Sequence, residues 1–257
     1  MDLPRIRGKE FIRNVPAIAG GLFAVFLASL ALASESPQPW PARPLMNGEW
    51  QYASQEQVAS LIQKFRNHVS HEQRSLIEGI TRLRALPLSC HQDVILFEGE
   101  ARHSSGQVGV VSFLLHTKGI TLLDGKADRI YALNVWNPAK IGTEEQAQTY
   151  LKLFTGSLTS EEGNFRILQT SEEVVWQDET VKNSHRDLIQ KVKPLELRPD
   201  GDSWRGSGVV QYGKHLFIST FVLGPNGKVE MADDDPIGSA LPIVVTRYIG
   251  VLRYETL

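Results

Sequence analysis

The chain has 257 residues, of which 42% are hydrophobic and 22% charged, and its formal net charge is −2. That length and apolar content are enough for a sizeable core, which excludes a disordered or fibrous protein. The near-neutral balance offers no electrostatic footprint for nucleic acid or for an acidic membrane surface, so neither is an expected partner.

The opening stretch MDLPRIRGKEFIRN sets Arg5, Arg7, Lys9 and Arg13 against Asp2 and Glu10, and the apolar run AIAGGLFAVFLASLALA follows. A basic start, an apolar run and small residues at Ala31 and Ala33 form the pattern of a secretory signal peptide over residues 1–33, cleaved after Ala33. The competing expectation is a retained membrane anchor, since Val15 to Ala33 nearly reaches bilayer-spanning length. Gly20-Gly21 weakens such a helix, and any membrane contact would be confined to this segment. No cysteine follows the run and no twin arginine occurs, which points to export of an unfolded chain into a periplasmic or secreted location. Cys90 is the one cysteine, so no intramolecular disulfide can form and the fold must rest on its core.

Pro37, Pro39, Pro41 and Pro44 make residues 34–48 read as an extended linker, with a single α+β domain over residues 49–257. From Gln55 the periodicity is helical. Val58, Leu61, Ile62, Phe65 and Val69 share one stripe, which Leu76, Ile77, Ile80 and Leu83 resume as far as Pro87. Ser70, with Gln73 completing a capping box, is expected to open a second helix within this segment. Its HVSHE stretch invites a zinc site at His68 and His71. The zinc-protease spacings are His-Glu-x-x-His and His-x-x-Glu-His, and this is neither; a solvated histidine pair is the plainer expectation.

The next region alternates like a sheet. DVILFEGEARH and QVGVVSFLLH are joined by Ser104-Ser105-Gly106, and GITLL and RIYALN flank Asp124-Gly125, so four strands are expected. Alternation sets Ile95, Phe97, Gly99 and Ala101 on a core face and Glu98 and Glu100 on a wet one, giving a half-buried antiparallel sheet. Cys90 and His91 precede it. Neighbours on an extended chain point opposite ways, so His91 is badly placed to serve Cys90 as a base, and a buried structural thiol is expected.

TEEQAQTYLKLFTGSL reads as a helix capped by Thr143 and Gln146, with Ala147, Tyr150, Leu151, Phe154 and Leu158 forming the stripe that packs it on a sheet. Glu161, Glu162 and Gly163 then form a turn before a strand at Phe165 to Leu168. Adjacent glutamates cannot flank a glycosidic bond from both sides.

The segments YLKLFTGSLTSEEGNFRIL and YGKHLFISTFVLGPNGKVEMADDDPI resemble a pair that recurs in uncharacterised exported bacterial proteins. The resemblance covers these two stretches and implies a bacterial source and no activity.

Towards the C-terminus, GDSW carries Ser203, which lacks the Gly-x-Ser-x-Gly elbow of a hydrolase and reads as turn chemistry entering a strand with Trp204. SWRGSGVVQY and HLFISTFVL flank Gly213-Lys214, PNG turns the chain again, and the final LPIVVTRYIGVLRYETL supplies one or two more strands. FLLHTKGITLL lies over FVLGPNGKVEM at a constant offset, and Gly99 precedes Phe113 much as Gly206 precedes Phe221. Two related β-rich halves, about 93–134 and 203–235, are therefore expected. Asp233, Asp234 and Asp235 lack the alternating oxygens and central glycine of an EF-hand loop. They are candidate calcium ligands whose plainer role is to end a strand and discourage edge pairing.

The expected class is α+β: an N-terminal helical segment plus an antiparallel sheet with a central packing helix. No catalytic residue and no cofactor is assigned. The expected function is an exported, non-catalytic binding or accessory protein of the cell envelope, with an unidentified protein or small molecule as partner. A hydrolase assembled in three dimensions from His116, His215, Glu98 and Asp233 is the alternative, and a structural envelope component is the third.

Overall fold

A computed structural model describes residues 39–257 apart from Ser70. The expected signal peptide over residues 1–33, the 34–38 part of the expected linker and the expected capping role of Ser70 lie outside the described residues. No described helix is long and apolar enough to cross a membrane.

In chain order the elements are β1 (Gln51–Tyr52), α1 (Gln55–Phe65), α2 (His71–Glu78), β2 (Arg82–Pro87), β3 (Ile95–Arg102), β4 (Val108–His116), β5 (Gly119–Leu122), α3 (Asp128–Trp136) and α4 (Glu144–Ser157). There follow β6 (Thr159–Ser160), β7 (Gly163–Leu168), α5 (Glu179–Ser184), α6 (Arg186–Ile189), β8 (Glu196–Asp200), β9 (Ser203–Tyr212), β10 (His215–Leu223), β11 (Val229–Gly238), β12 (Val245–Ile249) and β13 (Leu252–Thr256). The chain is thus an α+β protein with antiparallel sheets, in which strand outweighs helix.

The first sheet runs β1-β2-β3-β4-β13-β12 with β5 also on β4, and the second runs β11-β10-β9-β7-β6 with β8 also on β9. Each central strand therefore shares one of its edges between two short strands. β13 takes Val110 and Val111 of β4 while β5 takes Phe113 to His116. In the same way β8 takes Ser203 to Ser207 of β9 while β7 takes Val209 to Tyr212. Gly109 lets β13 come this close, because an added Cβ would lie 2.6 Å from the Arg253 carbonyl oxygen.

Three apolar clusters hold the layers. Val58, Leu61 and Phe65 of α1 and Ile77 of α2 cover Phe97, Val111 and Phe113 on the outer face of the first sheet. Val181, Leu188 and Ile189 of α5 and α6 pack against Val209 and Leu216 of the second. The largest cluster joins both inner faces, with Leu96 and Leu114 from one sheet and Ile167, Val210 and Phe221 from the other meeting Leu133 of α3 and Tyr150, Leu151 and Phe154 of α4. α4 begins where Thr143 Oγ1 accepts from Gln146 N, and Gln146 Oε1 accepts from Gly142 N, one residue before the cap.

Several expectations are corrected. The helical pattern does not run to Pro87: α2 stops at Glu78, and Arg82–Pro87 is a strand paired with β3. Leu83 and Ala85 fall in the outer cluster and Leu86 in the inner one, an alternation that also fits part of a helical stripe. RIYALN is not a strand but lies in α3, where Ile130 and Leu133, one turn apart, are both buried. The first sheet is not half-buried, because β3 buries both faces and Glu98 has no exposed surface. The linker does not extend to residue 48: Ala42, Leu45 and Met46 are buried, so residues 39–50 form a strap within the fold. The two β-rich stretches do form meanders, β3-β4-β5 and β9-β10-β11, but the register puts Phe97 opposite Phe113 and Gly206 opposite Phe221. Gly206 therefore occupies the rung of Phe97 rather than that of Gly99.

The strap is fastened by ions. Glu98 pairs with Arg84 and with Arg253, its Oε1 also accepting from Leu45 N at 2.9 Å and from Ser112 Oγ at 3.2 Å. Arg84 and Arg253 in turn donate to the strap carbonyls of Ala42 and Arg43. Arg43 pairs with Glu255 of β13 at 2.6 Å, and Arg166 of β7 donates to Pro44 O at 3.0 Å. Trp40 closes the end, with the Arg84 guanidinium 4.2 Å from its ring.

Glu98→Gln is expected to lower stability by about 3–5 kcal/mol in urea unfolding, because it leaves two buried guanidiniums without a counter-charge. Burial alone would raise the Glu98 pKa, but Arg253 and then Arg84 outweigh it and hold the carboxylate below its ordinary 4.5. A depressed folded pKa gives stability that is complete above about pH 4.5 and lost as pH falls through the folded value. The Glu98→Gln variant should lack that acid limb. A chain starting at residue 49 should fail to give a cooperative unfolding transition, whereas one starting at residue 39 should give it.

Candidate functional site

At one end of the first sheet, two loops and a hairpin tip enclose a cleft of about 490 Å³ open to solvent, lined by Gln92, Asp93, Thr117, Trp136, Asn137, Pro138, Ala139 and Lys140. Local chemistry builds each wall. α3 ends at Trp136 because Pro138 lacks the N–H and the room to continue it. The 137–140 loop is then tied to the loop before β3: Lys140 N donates to Cys90 O at 2.7 Å, Asn137 Nδ2 to Gln92 O at 2.8 Å and Lys140 Nζ to Gln92 Oε1 at 3.0 Å. Asp93 sits at φ 57°, a left-handed conformation that aspartate tolerates better than most residues. Thr117 and Lys118 form the β4–β5 turn, and the Lys118 ammonium lies 4.4 Å from the Trp136 ring centroid.

Two histidines flank the cleft, and their hydrogen bonds decide their tautomers. His116 lies 4.7 Å from Trp136. Its Nδ1 accepts from Lys118 N at 3.2 Å, so the proton is on Nε2, which donates to Thr121 Oγ1 at 2.9 Å. Both nitrogens are committed. Burial, and then the Lys118 charge, holds the His116 pKa down to about 4, so the ring is neutral at physiological pH. His91 is buried and its Nδ1 must donate to Asn137 O, at 3.1 Å. Burial likewise holds its pKa to about 4, against the opposing pull of the Asn137 carbonyl. Cys90 next to it is fully buried, and burial pushes its thiol up to about 12. That is the reverse of what a nucleophilic thiolate requires.

The remaining candidates are scattered. Glu98 is locked in its ion pairs, set back from His116 because it pairs with Ser112 in the middle of β4. His215 opens β10, its ring 6.2 Å from Phe217, and Asp233 lies exposed on β11, so the four proposed hydrolase residues do not converge. Ser203 opens β9 opposite Asp200, with Gly201-Asp202 as the hairpin loop. His68 ends a short 3₁₀ turn and His71 begins α2, both exposed.

Asp233, Asp234 and Asp235 do not end a strand: they lie inside β11, opposite Thr220, Ser219 and Ile218. β11 is the outer strand of its sheet, so its carboxylates reach water and Pro236 deprives the ladder of nothing. Register shifts after Leu216 and before Phe221 bend this pair further from flatness. Among the described residues no three His, Cys, Asp or Glu side chains gather as a metal site.

No family model matches the chain, and neither the curated proteins nor the solved structures contain a significant match.

Sequence reasoning passed over Trp136, Asn137, Lys118 and Lys140. The Asn137-Pro138 pair was the available signal, since that dipeptide marks a turn after an apolar run.

Cys90 should not react with a thiol reagent at pH 8 until denaturant is added, and then react fully. In an NMR titration the His91 and His116 ring signals should stay still from pH 8 to 5. Because both folded pKa values lie below the ordinary 6.5, stability should fall as pH drops from about 6.5 towards 4, where only the unfolded chain takes up these protons.

Proposed function

We propose that the chain is an exported, non-catalytic binding protein whose ligand occupies the Trp136 cleft. The observation that carries this is the makeup of the cleft walls: an indole, two side-chain amides, a hydroxyl, a lysine and an aspartate, held by hydrogen-bonded loops. Of the two imidazoles beside them, that of His116 has both nitrogens engaged and that of His91 gives its Nδ1 proton to Asn137 O. Such walls suit recognition, because they offer hydrogen-bond donors and an aromatic surface. Export rests on the basic and apolar pattern of residues 1–33 and on the resemblance to exported bacterial proteins. The N-terminal helical segment and the central packing helix serve in this proposal as scaffold.

Two measurements test it. Made in a bacterium with residues 1–33 in place, the protein should appear in the periplasmic extract beginning at Ser34; a membrane-bound product retaining Met1 overturns the cleaved-export part. Incubated with a bacterial extract, washed and denatured, it should release a small molecule detectable by mass spectrometry, and Ala139→Trp, which fills the cleft, should release at least tenfold less. Equal release from both proteins, or none from either, overturns the binding part.

A further inference from the structure

Within the proposed binding function, the charge around the cleft narrows the ligand. Lys140 lines it, and Lys118 stands at its rim over Trp136. Neither lysine belongs to an ion pair among the described residues. Lys140 Nζ is held by a neutral amide oxygen and Lys118 Nζ by an indole face, so neither is in direct contact with a counter-charge among the described residues. Asp93 is the one acid among the lining residues and offsets one of the two ammonium groups, which leaves one positive charge in excess.

Further donors stand beside them. Gln92 Oε1 is engaged by Lys140, so its Nε2 hydrogens are the part of that amide left to donate, and Thr117 adds a hydroxyl. His116 reinforces the pattern because it is neutral and its Nδ1 lone pair is already taken by Lys118 N, so it offers no acceptor that would repel an acid. Apart from Asn137, the remaining lining is apolar. Trp136, Pro138 and Ala139 are contiguous but for Asn137, and Val135, 85% exposed, immediately precedes them.

We infer that the cleft takes a small organic anion, its acidic group between Lys118 and Lys140 and its apolar body against Trp136 and Pro138. This rests on the cleft being the binding site. Hydrogen bonds from charged donors to an acid are about twice as strong as neutral ones, and an ammonium already parked on an aromatic face need lose little to swing onto a carboxylate.

The test uses the protein from Ser34 onward, with benzoate as anionic probe and benzyl alcohol and benzylamine as neutral and cationic counterparts of similar shape, at constant ionic strength. Benzoate should shift the amide signals of residues 92–93, 117–118 and 137–140 and the Trp136 indole N–H, and the two counterparts should not. Lys118→Gln with Lys140→Gln should weaken benzoate at least tenfold while lowering the melting temperature by only a few degrees, since both side chains are exposed and the contacts they lose are surface ones. Either single substitution should give an intermediate loss. Benzyl alcohol or benzylamine binding as well as benzoate, or benzoate binding unaffected by the double substitution, overturns the anion while leaving a working cleft. Benzoate shifts spread evenly over the lysines of the whole surface also overturn it. Whether the cleft binds at all is decided separately, by the Ala139→Trp comparison.

Discussion

Glu98 lies in the middle of β3 with no access to water, and a charge so placed is tolerated only with its counter-charges in contact. Arg84 comes from the neighbouring strand β2, and Arg253 from β13, near the far end of the chain. Each guanidinium also donates to a strap carbonyl, Arg84 to Ala42 O and Arg253 to Arg43 O. The carboxylate cannot be satisfied until β2, β3, β13 and the strap are all in place. A buried pair returns in attraction roughly what it loses in hydration, so its main consequence is geometric. It ties β2, β3, β13 and the strap to one another at a single point.

The strap carries that constraint into the second sheet. Arg166 on β7 donates to Pro44 O, and Asn47 donates to Glu173, just beyond the same strand. Leu45 and Met46 meanwhile enter the apolar cluster that both sheets share with α4. One short stretch, too rich in proline for a helix or a ladder, thus closes the seam between two sheets. Its prolines suit this role, since a strap needs an extended backbone with few N–H groups to satisfy.

The cleft is built from loops in the same manner. Its walls are the connections at one end of the first sheet, positioned by the β4–β5 hairpin and by α3, whose buried Ile130 and Leu133 anchor it to the inner cluster. The loops hold each other through backbone and amide hydrogen bonds, so the indole and the lysines sit on a supported rim. α3 itself has the sequence of a strand. RIYALN has the β-branched and aromatic makeup of a strand, and only the two apolar residues one helical turn apart, set against a surface the sequence cannot display, favour a helix.

What the sequence determined by itself was local. Turn chemistry at Ser104-Ser105-Gly106, Gly213-Lys214 and Pro225-Asn226-Gly227 set the hairpins, the cap at Thr143 set the start of α4, and the apolar stripes set which faces of α1 and α4 are buried. These are properties of a few neighbouring residues and survive in any context. Tertiary structure alone decided the rest. Whether Glu98 was wet or dry depended on a strap about fifty residues earlier and an arginine near the end of the chain, and alternation cannot report what lies on top of a face. The aspartates read as the end of a strand because three carboxylates suit solvent, yet an outer strand supplies solvent along its whole length. Trp136, Lys118 and Lys140 are ordinary residues in separate segments, and they became a candidate site only when folding brought two loops and a hairpin tip together, since a cleft is a relation between distant parts of a chain.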